Sequence, residues 1–393
     1  MHFHLGHSKE VPVEAEKPFL TVEKTYETKV TTRTEWVSSN CTGNKKALLI
    51  GINYRGTNNP LDGCHSDASR MYKFITKTYG FKAENVVLLM DDHRLKPEYQ
   101  PTRANILHWT HWLVKDAQAH DSLFFHYSGH GGRRPDQDGD KMDYYDDCIY
   151  PLDSVPLTHA SHEQINACYQ SIILDDELHQ HLVSPLPAGA RLTAIFDSCH
   201  SGSVLVLPFV YAAKSGKLKG GNLLAEEDAE EAHITRKARG FVALEETEVW
   251  KVREKFFEVK DMLEATKDIL HETGGKLFVE RDGKGALMDI ERLDGLKAHV
   301  KQVEAMKKRN ESLADVVLIS GCKDTQSSAD ATENGMSTGA LSWGLLTTLQ
   351  ENPEPTYLEL LDGIRAKLKK EHYAQSPQLS TGHPMDLNVV FMA

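Results

Sequence analysis

The chain has 393 residues, a formal net charge of −12 and 40% hydrophobic side chains, enough to bury one large core or two modest ones. The acidic balance points away from a nucleic-acid partner and suits a basic substrate better. No stretch approaches the roughly 20 apolar residues that span a bilayer, and the His-rich start has no apolar signal core. The six cysteines form no C-x-x-C pair, so reduced thiols in the cytoplasm, with the nucleus also open, and no membrane partner are expected.

Residues 1–44 are polar and aperiodic and read as an N-terminal tail, with TKVTTRTEWV (28–37) as a candidate strand. From Lys45, KALLIGINY is a continuous apolar run, the pattern of a strand buried on both faces. SDASRMYKFITKTYG (66–80) has helical spacing and a glycine stop. NVVLLMDD (85–92) is a second buried strand, and TRANILHWTHWLVKDA (102–117) a helix capped by Thr102. DSLFFHYSGHGG (121–132) is a third strand running into glycines, and DDCIYPLD (146–153) reads as a fourth. LDDELHQHLVSPL (174–186) is a short helix, and ARLTAIFDSCHSG (190–202) a strand ending in a tight loop.

Residues 214–311 are rich in Lys and Glu and read as a charged linker or insertion. Within them EVWKVREKFFEVKDMLEATKDIL (248–270) has helical period, and KLFVERDGKG (276–285) reads as a hairpin turning at Asp282-Gly283. The α/β pattern resumes with ADVVLISGC (314–322, strand), GALSWGLLTTLQ (339–350, helix), TYLELLDGIRAKLKKEHY (356–373, helix) and NVVFMA (388–393, strand). Strands alternating with helices predict an α/β fold, a mostly parallel sheet flanked by helices on both faces. Residues 45–213 and 312–393 then form one domain interrupted by the insertion.

Two predicted strands end in chemically loaded loops: HYSGHGG with His130, and DSCHSGS with Cys199. In open parallel sheets functional groups gather beyond the carboxyl ends of strands. A thiol nucleophile needs a nearby imidazole to form thiolate and then protonate the leaving amine. Glycines around His130 let a substrate backbone approach, and the N–H groups of Gly131 and Cys199 are the candidate oxyanion hole. Taken singly, a buried-strand cysteine is a small core hydrophobe, and a histidine among glycines is structural; together at two strand ends they read as a dyad. His200, next to the nucleophile, would point to the opposite face. His2, His4 and His7 match no zinc spacing.

KALLIGINY, LDGCHSDA, HYSGHGG, DDCIYPLD, IFDSCHSGS and LPFVY, followed by SGCKDTQSSAD, GALSWGLL and PQLSTGHP, together resemble the type I metacaspases, caspase-fold cysteine peptidases of fungi, protists and plants. The resemblance runs from Lys45 to about Tyr211 and again from Asp315 to the end. It implies a caspase-like fold, with 45–213 as the large-subunit-like region and 312–393 as the small-subunit-like region. It makes His130 and Cys199 the catalytic pair and implies cleavage after Arg or Lys, with Cys64, Asp67, Ser128 and Asp197 lining an acidic substrate pocket. Asp330 is expected to help form that pocket, with Cys322 near the cleft. A carboxylate facing a guanidinium forms charge-assisted hydrogen bonds. The plainer readings are a helix N-terminal charge for Asp67 and a solvated strand-end acid for Asp197.

The same resemblance implies calcium as an activator, with Asp146, Asp175 and Asp176 as ligands, and no organic cofactor. A fourth acidic ligand is expected seven residues after the nucleophile, where this chain has Val206. That departure weakens or abolishes the site unless Asp147, or the loop carrying Asp136, Asp138, Asp140 and Asp143, compensates. An enzyme that cuts after basic residues also has candidate processing points in its own insertion, at Lys217, Lys219, Arg236, Lys237 and Arg239. A monomer acting on peptide and protein substrates is expected. The alternatives are an Asp-specific caspase and a non-catalytic caspase-fold scaffold that binds misfolded proteins.

Overall fold

The computed structural model describes residues 36–57, 59–135, 145–157, 159, 161–198, 201, 204–212, 251–254, 277–281, 284–288, 312–321, 330–333, 336–373, 375 and 377–393, all within a compact unit spanning Trp36–Ala393. The main sheet has eight strands: β1 (Lys45–Gly51), β2 (Val86–Met90), β3 (Ser122–Ser128), β7 (Arg191–Asp197), β8 (Phe209–Ala212), β9 (Lys251–Glu254), β12 (Asp315–Ser320) and β15 (Gln378–Thr381). Their spatial order is β2-β1-β3-β7-β12-β15-β8-β9. The first five are parallel, and β15, β8 and β9 add on antiparallel. Three smaller sheets complete the described strands. One joins β4 (Gly131–Pro135), β5 (Tyr145–Ile149) and β6 (Ile173–Leu174); the other two are the hairpins β10–β11 (Leu277–Arg281, Lys284–Met288) and β13–β14 (Asp330–Glu333, Met336–Gly339).

The continuous apolar runs become central strands because both faces are covered. Along β1, Leu48 and Ile50 join one core, with helices α2 (Arg103–Val114) and α4 (Asp175–Leu182). Ala47 and Leu49 join the other, with α1 (Cys64–Thr78), α5 (Ala340–Glu351) and α6 (Tyr357–Lys370). The period of two thus sorts side chains between two helical layers. Thr102 caps α2 as expected, its hydroxyl accepting from the Asn105 N–H. A further helix, α3 (His162–Tyr169), opens on a capping box between Ser161 and Gln164.

Four expectations need correction. DDCIYPLD does hold a strand, β5, but it lies in the separate antiparallel sheet. NVVFMA forms only an isolated bridge from Val390 to Thr356; Val389 and Val390 are exposed, and QLST supplies the sheet's last strand instead. Lys251–Glu254, expected in a helix, pairs with β8. Residues 36–44 are no free tail: Trp36 stacks on His383 at 3.8 Å, and the Ser39 N–H donates to Asp315. The expected hairpin is present as β10–β11.

Candidate active site

Strands β3 and β7 are neighbours in register, with Ser128 opposite Asp197. His130 lies two residues beyond Ser128, and Cys199 two beyond Asp197. Cys199 itself lies outside the described residues, as does His200. The pairing extends one step past the strands, because the Gly129 N–H donates to the Asp197 carbonyl at 3.5 Å. Adjacent strands run about 4.8 Å apart, so both loops leave the same end of the sheet side by side.

His130 is held at backbone and ring. Its Nε2 lies 2.8 Å from the Asn59 carbonyl oxygen. A carbonyl only accepts, so Nε2 is the donor, and in the neutral ring that leaves the Nδ1 lone pair for a general base. Its own N–H donates to the Tyr54 hydroxyl at 3.0 Å, and its carbonyl accepts from the Tyr127 hydroxyl at 2.7 Å. Gly131 follows as the first residue of β4. Cys148 is ill suited as a nucleophile: burial, reinforced by nearby Asp147 and Asp175, pushes its thiol up to about 12, which favours the protonated form.

The expected pocket residues gather beside these loops. Asp67 is fully buried in the first turn of α1. Its Oδ2 accepts from the Ser128 hydroxyl at 3.0 Å and the Gly339 N–H at 2.8 Å. Its Oδ1 accepts from Arg70 Nη2 at 2.9 Å and the Thr338 hydroxyl at 2.5 Å. Burial pushes its pKa up, against the pull of Thr338, Gly339 and Arg70. Asp197 is buried too, with Oδ2 accepting from the Ser342 N–H at 2.7 Å in the first turn of α5. It is therefore no solvated acid. Cys64 is buried at the start of α1. The Asp330 side chain and Cys322 lie outside what is described.

Asp146, Asp175 and Asp176 converge, with one carboxylate oxygen from each lying within 4.8 Å of the others. Asp146 and Asp175 are buried and Asp176 is half-buried. The Asp147 N–H donates to Asp175 at 3.3 Å, while its own carboxylate pairs with Arg133 at 3.0 Å. Three hard oxygen donors suit a calcium-type cation. Val206 has φ +49, a left-handed backbone that β-branched residues rarely adopt and Asp or Asn tolerate better. The preceding Leu205 carbonyl bonds His179 of α4 at 2.8 Å. Asp136, Asp138, Asp140 and Asp143 lie outside the described residues, as do the five candidate processing residues and His2, His4 and His7.

Sequence reasoning missed Tyr54, Tyr127, the Asn59 carbonyl and Arg70. One signal was chemical: a tyrosine at or just beyond a buried strand must find a partner for its hydroxyl. Arg70 follows Asp67 at helical spacing i,i+3, a pairing that is also readable in advance.

Comparison with known proteins adds an independent line. The profile described as "Metacaspase, peptidase C14 domain" matches residues 45–208. Metacaspase-1 of Cryptococcus neoformans is 43% identical over 357 residues, covering 90% of this chain and 66% of that protein. Metacaspase-1 of Coccidioides immitis is 42% identical over 355 residues, covering 90% and 65%. Metacaspase-1B of Aspergillus oryzae is 43% identical over 357 residues, covering 90% and 71%. The chain thus spans about two thirds of the length of the first of these relatives.

Proposed function

The chain belongs to the metacaspase family, and from that premise we propose that it is a cysteine endopeptidase that cuts after Arg or Lys, with Cys199 as nucleophile and His130 as general base and acid. The observation that carries the reading is the register of β3 and β7, which starts both loops from the paired residues Ser128 and Asp197.

In the proposed reaction the Cys199 thiol gives its proton to Nδ1 of His130, whose other nitrogen is committed to Asn59. The thiolate attacks the carbonyl carbon, and backbone N–H groups, Gly131 and Cys199 among the candidates, hold the oxyanion. The imidazolium returns the proton to the departing amine nitrogen as the C–N bond breaks. Water then hydrolyses the thioester, releasing the carboxylate and restoring the thiol. Asp67 and Asp197 would attract the basic side chain before the scissile bond.

Cys199→Ala and His130→Ala should abolish hydrolysis of arginyl fluorogenic peptides; turnover in purified Cys199→Ala would end the proposal. Paired arginyl and aspartyl substrates test specificity, with the arginyl one preferred and that preference weakened in Asp197→Ala. A preference for the aspartyl peptide would instead identify an Asp-specific caspase. Failure of a thiol-directed probe to label Cys199 would favour the scaffold reading.

Asp146, Asp175 and Asp176 would hold a calcium ion, which supplies activating charge there, while Val206 leaves the acidic set one carboxylate short. Millimolar calcium should raise the melting temperature of Val206→Asp more than that of wild type, and Asp175→Asn should lose the response. No shift in any of the three would remove the metal from the account. The same specificity makes the insertion a target for self-processing at Lys217, Lys219, Arg236, Lys237 or Arg239. Cys199→Ala protein should stay intact where wild type fragments. We place the monomeric enzyme in the cytoplasm or nucleus; fractionation with an antibody to the chain tests the location.

A further inference from the structure

We propose that Tyr54 and Tyr127 form a phenol clamp that positions His130 for proton transfer, Tyr54 being its principal positioning residue. The inference rests on His130 being the catalytic base.

Each tyrosine has one hydroxyl proton. The Tyr54 hydroxyl donates to the Tyr150 carbonyl at 2.5 Å and accepts the His130 N–H at 3.0 Å. The Tyr127 hydroxyl donates to the His130 carbonyl at 2.7 Å. The two oxygens are 3.0 Å apart. Phenols thus grip the peptide groups on both sides of the His130 Cα, and the Tyr54 ring lies 4.5 Å from the imidazole. Rotation of either peptide group would swing the ring away from the neighbouring loop.

Three features are consistent with a chain arranged around this grip. Tyr54 sits at φ +52, a left-handed conformation that is unfavourable for a bulky residue and that tends to mark functional sites. It is held there by Thr57, whose hydroxyl and N–H both donate to the Tyr54 carbonyl, at 2.7 and 3.1 Å. The same loop delivers Asn59, whose carbonyl fixes Nε2. One turn therefore sets both backbone and tautomer of His130. Finally, a Cβ on Gly129 would come within 2.8 Å of the Tyr127 hydroxyl and 2.9 Å of the Tyr54 hydroxyl. The glycine before His130 is where the phenols need room. Burial raises the pKa of both tyrosines, so the clamp stays protonated across the working range.

The test is Tyr54→Phe, which keeps the ring and removes the hydroxyl. Expected is a fall in kcat on the order of 10- to 100-fold, the scale of a small misplacement, with KM unchanged. The pH profile of Cys199 alkylation by iodoacetamide should move up toward that of an unassisted thiol, near about 8.5. Ile106→Val, a core trim on α2, lowers melting temperature without touching His130 and should leave both readouts alone. If Tyr54→Phe does not accumulate as folded protein, Tyr127→Phe is read the same way. Wild-type kcat and alkylation profile in the folded tyrosine variant, with Cys199→Ala inactive, would overturn the clamp and leave the dyad standing. Turnover in Cys199→Ala would remove the dyad and the clamp together.

Discussion

Asp67 illustrates how a single side chain can be held by structure and, in the proposed reading, also serve specificity. A carboxylate has about four acceptor sites, and Ser128, Gly339, Arg70 and Thr338 occupy four. An incoming guanidinium must therefore compete with the protein's own arginine. Arg70→Gln should lower KM for arginyl peptides several-fold, at unchanged kcat; a raised KM would mean that Arg70 only builds the pocket. At the opposite end of the strands, Asp315 is buried between Arg191 at 3.3 Å and His383 at 3.0 Å. Burial alone would raise its pKa, but the His383 hydrogen bond, the Arg191 charge and the Ser39 N–H together bring it below the usual carboxylate range. Asp315→Asn should cost about 3–5 kcal/mol at neutral pH, as for other broken buried pairs. A depressed carboxylate stabilises fully above its unfolded value of about 3.9, and the benefit is lost as pH falls through the lower folded value. The gap between wild type and variant in urea unfolding should thus close only below about pH 4. A gap that stays constant to lower pH would assign the loss to packing.

At the level of elements, the helices were the most legible. The periodic stretches ending in glycine, proline or charge became α1, α2, α4, α5 and α6, because an apolar stripe with capping signals needs no distant information. Strand β15 was not legible. Gln378–Thr381 carries one large apolar residue, and it is a strand because β12 and β8 flank it on both sides. Likewise β5 was readable as extended chain but not as a member of a second sheet, since partner choice is nonlocal. In the site, His130 stood out as a histidine in a glycine loop at a strand end and the pocket acids came from the family resemblance, whereas Asn59 acts through a carbonyl that every residue possesses. The start of α5 shows what such positioning demands. A Cβ on Gly339 would overlap the Asp197 carboxylate, and Ser342 of the same turn donates to it. Gly339→Ala should destabilise by about 1–3 kcal/mol, as overpacking does, and weaken discrimination for basic substrates. Wild-type thermal stability and selectivity would show that the turn moves freely.

For the whole molecule, the deciding feature is the order of strands across the sheet. β12 and β15, from the last quarter of the chain, lie between β7 and β8 from its first part, and β9 follows β8 at the edge. The late strands are thus wedged into a gap bounded on either side by earlier ones, bonded to β7 by one ladder and to β8 by another. Scission of the backbone between Ala212 and Lys251 would create two polypeptides that cannot drift apart, since separation means tearing ladders out of the middle of a covered sheet. Such a nicked protein should elute as one particle in native size-exclusion chromatography and resolve into two bands only in denaturant. Two native peaks would contradict the interleaving. The proposed self-processing would then change covalent state without dissociation: His130 and Cys199 stay on one fragment, and the ladders to β7 and β8 hold β12 and β15 of the other beside them.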